Sequence, residues 1–535
     1  LEVDRVIFPA MEEPAMCERY VARNTGSVAY ALQIPELEQT IETDPARGVE
    51  GSYRIVSRVH GGGVYTVEPG DSVVFSLVIE ALAKDDAEVA ASADDMWAER
   101  KAFLDAVDDN LVLDTPDDVI DTEFRYAKIR ASESIFKTKR GYMHGPGGES
   151  YYAAIWANDQ AEYVNPFFPF LGYGVGNESA LNAYRLFAQY MNDEYKPIPS
   201  SIIAEGDGTW SGAGDRGDAA MIAYGAARYA LTRGDRAEAE ELWPLIEWCL
   251  EYCKRQINDE GVVKSDRDEL EGRFPSGEAN LCTSTLYYDA LISASYLGRE
   301  LGKSPSLTAD YSRRAKAMRA AIESYFGATV CGYETYRYYD GNDILRSWIC
   351  MPLIVGIYDR AEGTIDALFH SDLYTSDGLL TAQGSETFWD RSTLYAFRGG
   401  YAAGYPDFMT EQLSFYSNRR LLGDHVPYPI EAWPEGNQRH LSAESGLYCR
   451  IITEGMFGMR PTGMRSFELK PEIPSTWDHA SLRHVRAFDR DFDIEVKRLS
   501  PEKLQVTVLQ YGEEDKRYEQ RFTVRQGRTI EVKLP

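Results

Sequence analysis

The sequence predicts a mainly α protein, an (α/α)6 toroid carrying a β-sandwich at its N-terminal side and a small one at its C-terminal side. Three observations predict it. About twelve amphipathic helical patterns follow one another between residues 117 and 457. The connections after odd-numbered patterns run roughly a dozen to twenty residues, and those after even-numbered ones roughly one to three. Alternating apolar and polar residues, the period of half-buried strands, occupy both ends of the chain. Helices strung as up-down pairs with every long loop at the same end describe a closed ring of six helical hairpins. The long loops then share one rim.

Bulk properties narrow the function classes. At 535 residues the chain is too long for one ordinary core and is expected to hold two or three domains. An apolar fraction of 44% with 12% aromatics points to a soluble globular protein, and no apolar run approaches the ~20 residues of a membrane span. A formal net charge of −29 argues against nucleic acid or an anionic membrane as partner, because either needs a concentrated basic surface. A neutral small molecule fits better. Seven cysteines are scattered, and Cys249 and Cys253, spaced i, i+4, read as buried rather than as a metal or disulfide pair. His144, His425 and His440 form no spaced cluster, so neither a metal nor another cofactor is expected. The chain opens at Leu1 without methionine or a signal-like segment, so a leader or more is expected to be missing and the compartment is left open.

Taken in order, residues 1–88 read as strands, with Pro69-Gly70-Asp71 turning between the last two. Residues 89–113 read as a linking helix that buries Trp97, Phe103, Leu104 and Val107. The helical region occupies 114–464, opening with Thr115 as cap and Pro116 in the first turn. Its helices are expected near 117–138, 159–173, 177–193, 216–233, 235–257, 279–302, 305–326, 341–357, 360–371, 390–403, 405–421 and 441–457. Residues 465–535 read as strands again.

Long loops on a rigid scaffold are where function tends to sit. The loop between the fifth and sixth helices holds Lys264-Ser-Asp-Arg-Asp-Glu-Leu-Glu-Gly-Arg273, four carboxylates and two arginines in ten positions. A charge run is more often a solvated loop than a site, so its company decides. Nearly all the long loops carry aromatic rings, among them Trp156, Trp210, Trp389 and Trp433, which suit the flat faces of sugars. Asp159, Asp266, Arg273, Arg391 and Gln438 supply hydroxyl-binding groups on the same rim. The last long loop adds Glu431 and Glu435, which ring closure would set across the cavity from the acidic stretch. Two carboxylates facing each other over a sugar, one protonated and one ionised, are what glycosidic cleavage requires.

The residues also resemble known families. Asp268-Glu269 followed by Glu278-Ala-Asn-Leu-Cys-Thr-Ser-Thr resembles the Asp-Glu motif and Asn-Thr helix of maltose and kojibiose phosphorylases, whose glutamate is the general acid. Asp266-Arg-Asp-Glu269 is similar to the Asp-x-x-Glu motif of glucoamylases, and the spacing from Glu269 to Arg273 is similar to that in trehalases. Glu431 precedes Leu441-Ser-Ala-Glu-Ser-Gly by the interval of the glucoamylase base, and Trp156-Ala-Asn-Asp159 resembles the glucoamylase segment that grips the outermost sugar. Gly455-Met-Phe-Gly-Met-Arg-Pro-Thr-Gly463 resembles the crossing into the C-terminal sandwich of phosphorylases and inverting α-L-rhamnosidases. The likeness is to the six-hairpin glycosidases. It implies Glu269 as acid and Glu431 as base, with Glu162, Asp268 and Glu435 in reserve, and water rather than phosphate as nucleophile. Asp215-Arg-Gly-Asp-Ala219 is similar to a rhamnosidase segment, although helix capping is the simpler duty for Asp215. The expectation is an inverting, exo-acting glycoside hydrolase, with an α-glucoside as first substrate. The alternatives are an α-L-rhamnosidase, a disaccharide phosphorylase and a non-catalytic glycan-binding protein.

Overall fold

The computed structural model describes residues 1–48, 51–145, 154–204, 208–423, 429, 443–513 and 516–535. The chain divides into two compact units, residues 1–107 and 108–535.

In the first unit, Glu2–Pro9, Ala15–Arg23, Ser72–Ala83, Tyr53–His60 and Glu38–Glu42 form an antiparallel sheet in that order, and Tyr30–Ile34 pairs with Gly63–Val67. Ile34 and Val67 of the pair pack with Val73 of the large sheet, so the two layers meet through an apolar seam. A second cluster joins Phe8, Cys17 and Val78 to Ala93 and Met96 at the start of helix α1 (Ala93–Asp109). Of the expected face of α1, Phe103 and Val107 are buried, and Met96 is buried where Trp97 was expected to be.

The first helix to begin within the second unit is α2 (Asp118–Glu133). Its cap is Asp117, whose carboxylate accepts the Val119 and Ile120 N–H groups, and not Thr115, whose hydroxyl donates to Asp121. The expected helix 117–138 stops at Glu133 because Ile135–Thr138 leaves it to pair with Gly141–His144. The remaining helices are α3 (Phe168–Leu171), α4 (Gly174–Ala188), α5 (Asp218–Arg233), α6 (Arg236–Arg255), α7 (Leu281–Glu300), α8 (Pro305–Phe326), α9 (Met351–Ile354), α10 (Ala361–Leu368), α11 (Asp390–Ala402), α12 (Pro406–Tyr416) and α13 (Ala443–Arg450). A 3-10 turn over Ser347–Cys350 leads into α9, which shortens the helix expected over 341–357. Among the described residues there are also three π-helical turns: Asp159–Val164 ahead of α3, Ser417–Leu421 after α12 and Ile451–Met456 after α13.

Helices α5, α7, α11 and α13 are buried on nearly every face, whereas α8 buries only a stripe that includes Tyr311, Met318 and Ile322. A helix buried all round needs neighbours on every side. Helix α5 packs on α6, on α7 and on the first π turn; α7 packs on α8; α11 packs on α9 and α13; α13 packs on α2. Side chains cap three of these helices by accepting a first-turn N–H, Asp235 for α6, Asn280 for α7 and Ser304 for α8.

The C-terminal strands form two sheets. One is Arg460–Gly463, Ser466–Leu469 and Ile530–Lys533; the other is Arg517–Arg525, Lys503–Tyr511, Asp491–Ser500, His479–Val485 and Val112–Asp114. Phe467 stacks on Phe488 and Phe492, with ring centroids 4.9 and 5.6 Å away, joining one sheet to the other. Among the described residues, no helix is long and apolar enough to cross a membrane.

Candidate active site

The N-terminal ends of the enclosed helices and the first π turn converge. Asp218 opens α5, Asp390 and Arg391 open α11, Glu444 lies in the first turn of α13, and Asp159 and Glu162 stand on the π turn. Helix N-termini leave backbone N–H groups unpaired and favour negative charge, which suits a collection of carboxylates. The acidic loop ahead of α7 adds Asp268 and Glu269, both buried.

Arg391 organises this cluster. Its Nη2 lies 2.6 Å from Glu444 Oε1 and 3.9 Å from Asp159 Oδ1, and its Nη1 lies 3.3 Å from Glu269 Oε2. The guanidinium also faces two rings, 4.8 Å from the Trp389 centroid and 5.1 Å from that of Tyr163. Glu269 is met by three donors, because the Tyr163 hydroxyl and the Trp348 indole N–H join Arg391 on its two oxygens. Glu162 is fully buried; Oε2 accepts the Tyr395 hydroxyl at 2.8 Å, and Oε1 has no partner among the described residues.

Burial dominates the electrostatics. It pushes Asp159 up to about 7, with the Glu444 charge adding and Arg391 opposing. Glu162 is held well above the carboxylate range by burial and then by the charge of Glu269. Glu444 is raised by burial against the pull of Arg391, and burial lifts Asp268 to about 6 against Arg346 and the Tyr338 hydroxyl, 2.9 Å from its Oδ2. The arrangement can hold a proton on one carboxyl while keeping another ionised beside it, the division of labour that acid–base cleavage uses.

Of the residues singled out from sequence, Asp159, Glu162, Glu269 and Arg391 meet in this cluster, and Trp389 lines it. Asp268 sits beside Glu269 but turns to Tyr338 and the Leu270 N–H. Trp156 and Trp210 lie on the two strands, Ala154–Trp156 and Thr209–Trp210, that flank Ser201–Ile203, and their rings are 5.1 Å apart. Arg216 covers both rings and binds Asp218 at 2.8 Å and Asn158 at 3.2 Å. Arg273 lies over Trp389 at 5.2 Å. Asp266 is exposed and accepts the Asp215 N–H at 2.9 Å, a loop-holding contact. Asp215 accepts the Gly217 N–H just ahead of α5 and the Tyr252 hydroxyl, but it does not cap the helix as expected: the cap position is Gly217, and among the described residues no side chain accepts from the first turn. His144 is buried, its Nε2 3.0 Å from the Ala131 carbonyl. Glu431, Trp433, Glu435, Gln438, His425 and His440 lie outside the described residues.

Sequence reasoning missed Tyr163, Trp348, Tyr395 and Arg216. The one local signal was polar: a tyrosine hydroxyl or indole N–H inside an apolar helix needs a partner.

No family model matches the chain, and no curated protein matches it significantly. Solved structures do. A sialidase structure superposes with a TM-score of 0.57 at 11% identity, covering 92% of this chain and 59% of its own. A GH78 family rhamnosidase of Bacillus sp. GL1 gives 0.55 at 12% identity, covering 97% of this chain and 53% of its own. A bacterial glucoamylase complexed with acarbose gives 0.54 at 10% identity, covering 85% and 81%. The chain spans less than two thirds of the length of the first two. What the three have in common with this chain is the fold, and all three are named as glycosidases.

Proposed function

We propose that the chain is an inverting, exo-acting glycoside hydrolase that releases a terminal sugar, an α-glucoside first, on an (α/α)6 ring with β-sandwich modules at 1–88 and 465–535. The observation that carries this reading is the convergence of Asp159, Glu162, Glu269 and Glu444 around Arg391, among aromatic rings and at helix N-termini. The fold shared with a sialidase, a rhamnosidase and a glucoamylase supports it. In this reading Glu431 deprotonates the attacking water from the opposite wall, roughly 6.5–9.5 Å from the acid. Trp156, Trp210, Trp389 and Trp433 offer ring faces to the sugar; Asp159, Asp266, Arg273, Arg391 and Gln438 bind its hydroxyls.

Glu269 is the proton donor that the motifs designate. A second reading gives the proton to the π turn, and it has its own support: Glu269 is surrounded by three donors, whereas Asp159 is held at about 7, close to where a general acid works best.

The experiment is release of reducing sugar from a panel of terminal α- and β-glycosides, with and without phosphate. Native chain is compared with Glu431→Ala, Glu269→Gln, Asp159→Asn and Glu162→Gln. Phosphate-independent release lost in Glu431→Ala is expected, with about 10²–10⁴-fold loss in whichever acid variant removes the donor. Release that requires phosphate, or that survives Glu431→Ala, overturns the hydrolase assignment of Glu431.

A further inference from the structure

A second ionic cluster lies deeper in the helical unit and plays no part in the proposed chemistry. Arg228 stands ten residues along α5 from Asp218, about 15 Å at the usual helical rise. Arg398 occupies the corresponding part of α11, and Arg450 and Glu454 follow at the end of α13 and on the π turn after it. Arg228 lies 2.7 Å from Asp289 and 2.8 Å from Glu454; Arg398 and Arg450 also bind Glu454, and Arg460 lies 2.8 Å from Asp289. Four guanidinium groups therefore share two carboxylates.

Both carboxylates are ionised. Burial pushes Glu454 up, but Arg398, Arg450 and Arg228 outweigh it and hold the group down to about 2; Asp289 is lowered in the same way by Arg228 and Arg460. Lys470 pairs with Glu472 at 3.1 Å, and Glu468 lies nearby. Five cations, Arg228, Arg398, Arg450, Arg460 and Lys470, thus stand against four carboxylates, Asp289, Glu454, Glu468 and Glu472, and one positive charge is left over.

Beside the cluster is a cavity of 220 Å³ lined by Arg228, Arg398, Arg460, Lys470, Glu454 and Tyr358 among others. Arg228 is almost wholly buried, and its Nη2 meets no protein acceptor among the described residues. The volume falls below the ~300 Å³ at which pockets for drug-sized ligands begin. A desolvated guanidinium group prefers the oxygens of carboxylate or phosphate, which it can bind through two N–H groups at once.

We infer that this cavity is a binding site for one small oxyanion, an inorganic phosphate or a short carboxylate, held by Arg228, Arg398 and Arg460 at a place separate from the carboxylate cluster around Arg391. Such an anion neutralises the surplus charge and gives the free guanidinium nitrogen its acceptor. It also ties α5 and α11 to the strand Arg460–Gly463, so its binding stabilises the unit.

The test is titration calorimetry of the full chain in a chloride-free buffer with inorganic phosphate in one arm and acetate in the other. Saturable one-to-one binding of either is expected, with a rise in thermal midpoint on addition. Arg460→Gln removes a partly exposed member and is expected to weaken binding about tenfold or more, the loss of one charge-assisted contact. Glu269→Gln is expected to leave binding unchanged. Anomalous density from soaked selenate, read on the native chain, locates the site even where Arg460→Gln fails to fold, and is expected between Arg228 and Arg460. No saturable binding of either anion, binding lost in Glu269→Gln but kept in Arg460→Gln, or selenate found only near Arg391 overturns the inference.

Discussion

Arg391 Nη2 lies 2.6 Å from Glu444 Oε1 across 53 residues of chain, and the same guanidinium reaches Glu269 through its other terminal nitrogen. The two partners arrive on different segments, so the arginine sets the distance between the acidic loop and α13. Removing it leaves buried carboxylates without their counter-charge. Arg391→Leu is expected to lower stability by about 3–5 kcal/mol, read from guanidinium denaturation midpoints. Arg391→Lys keeps the charge but loses the planar fork, and a smaller loss is expected. A loss for Arg391→Leu within about 0.5 kcal/mol of zero, the range of an ordinary surface change, would contradict this account of the cluster.

Stability should fall as pH rises from 6 to 8. A carboxyl whose proton is held more tightly in the fold contributes stability that is complete below its unfolded value, about 4, and is lost as pH climbs through its folded value. Asp268 and Asp215, both raised to about 6 chiefly by burial, have lost theirs by that pH, so the fall above pH 6 begins with Asp159, raised to about 7. Glu162, raised well above the usual range by burial, continues the decline. Each such group costs about 1.4 kcal/mol per pH unit while it keeps its proton in the fold. His144, depressed to about 4 by burial, acts the other way, but only below its unfolded value of about 6.5. Calorimetric midpoints across pH 6–8 check the slope, and Glu162→Gln should flatten it. An unchanged slope in that variant would remove Glu162 from the account.

Trp348 donates its indole N–H to Glu269 from the turn that leads into α9. Trp348→Phe keeps much of the ring and deletes the donor. Leaving a buried acceptor one donor short costs about 1–3 kcal/mol, so kcat/KM on the responding glycoside should fall about 5–150-fold with the far-ultraviolet spectrum unchanged. Native kcat/KM in the variant would mean that Glu269 needs no such positioning.

Gly225 lets α5 touch the π turn. A Cβ there would lie 2.1 Å from the Ala161 carbonyl oxygen, a backbone atom that cannot turn aside. Gly225→Ala is expected to cost about 1–3 kcal/mol and to reduce sugar release by moving Asp159 and Glu162. Urea midpoints and the release assay read the two effects separately.

Local order was legible, and long-range pairing was not. The helices expected near 279–302 and 305–326 are α7 (Leu281–Glu300) and α8 (Pro305–Phe326), because each start is set by short-range chemistry, the side-chain caps Asn280 and Ser304. The failures at Thr115 and at residue 138 are of one kind: Asp117 offered a stronger acceptor two residues on, and the β-branched Ile135 and Thr138 found a hairpin partner that the helical period could not anticipate. Asp159 and Arg391 stood out as hydroxyl-binding groups in loops unusually rich in aromatic rings, and Glu269 through an acidic run that resembles motifs of phosphorylases, glucoamylases and trehalases. Tyr163, 106 residues from Glu269, and Tyr395, 233 residues from Glu162, looked like core because nothing near them in the chain reveals the carboxylate each would meet.

The π turns have a consequence for register. In Asp159–Val164 the Asn165 N–H reaches back five residues to the Gln160 carbonyl, and in Ile451–Met456 the Phe457 N–H does the same to Ile452. Each is an α-helix carrying one residue more than its turn needs. Deleting that residue would restore the ordinary turn and swing every side chain ahead of it by about 100° around the axis. Asp159 and Glu162 stand on one of these turns and Glu454 on the other, so both ionic clusters hang on a single-residue insertion. A chain with the same helices but a gap at either point would align almost perfectly and aim its carboxylates elsewhere, inheriting the scaffold without the chemistry.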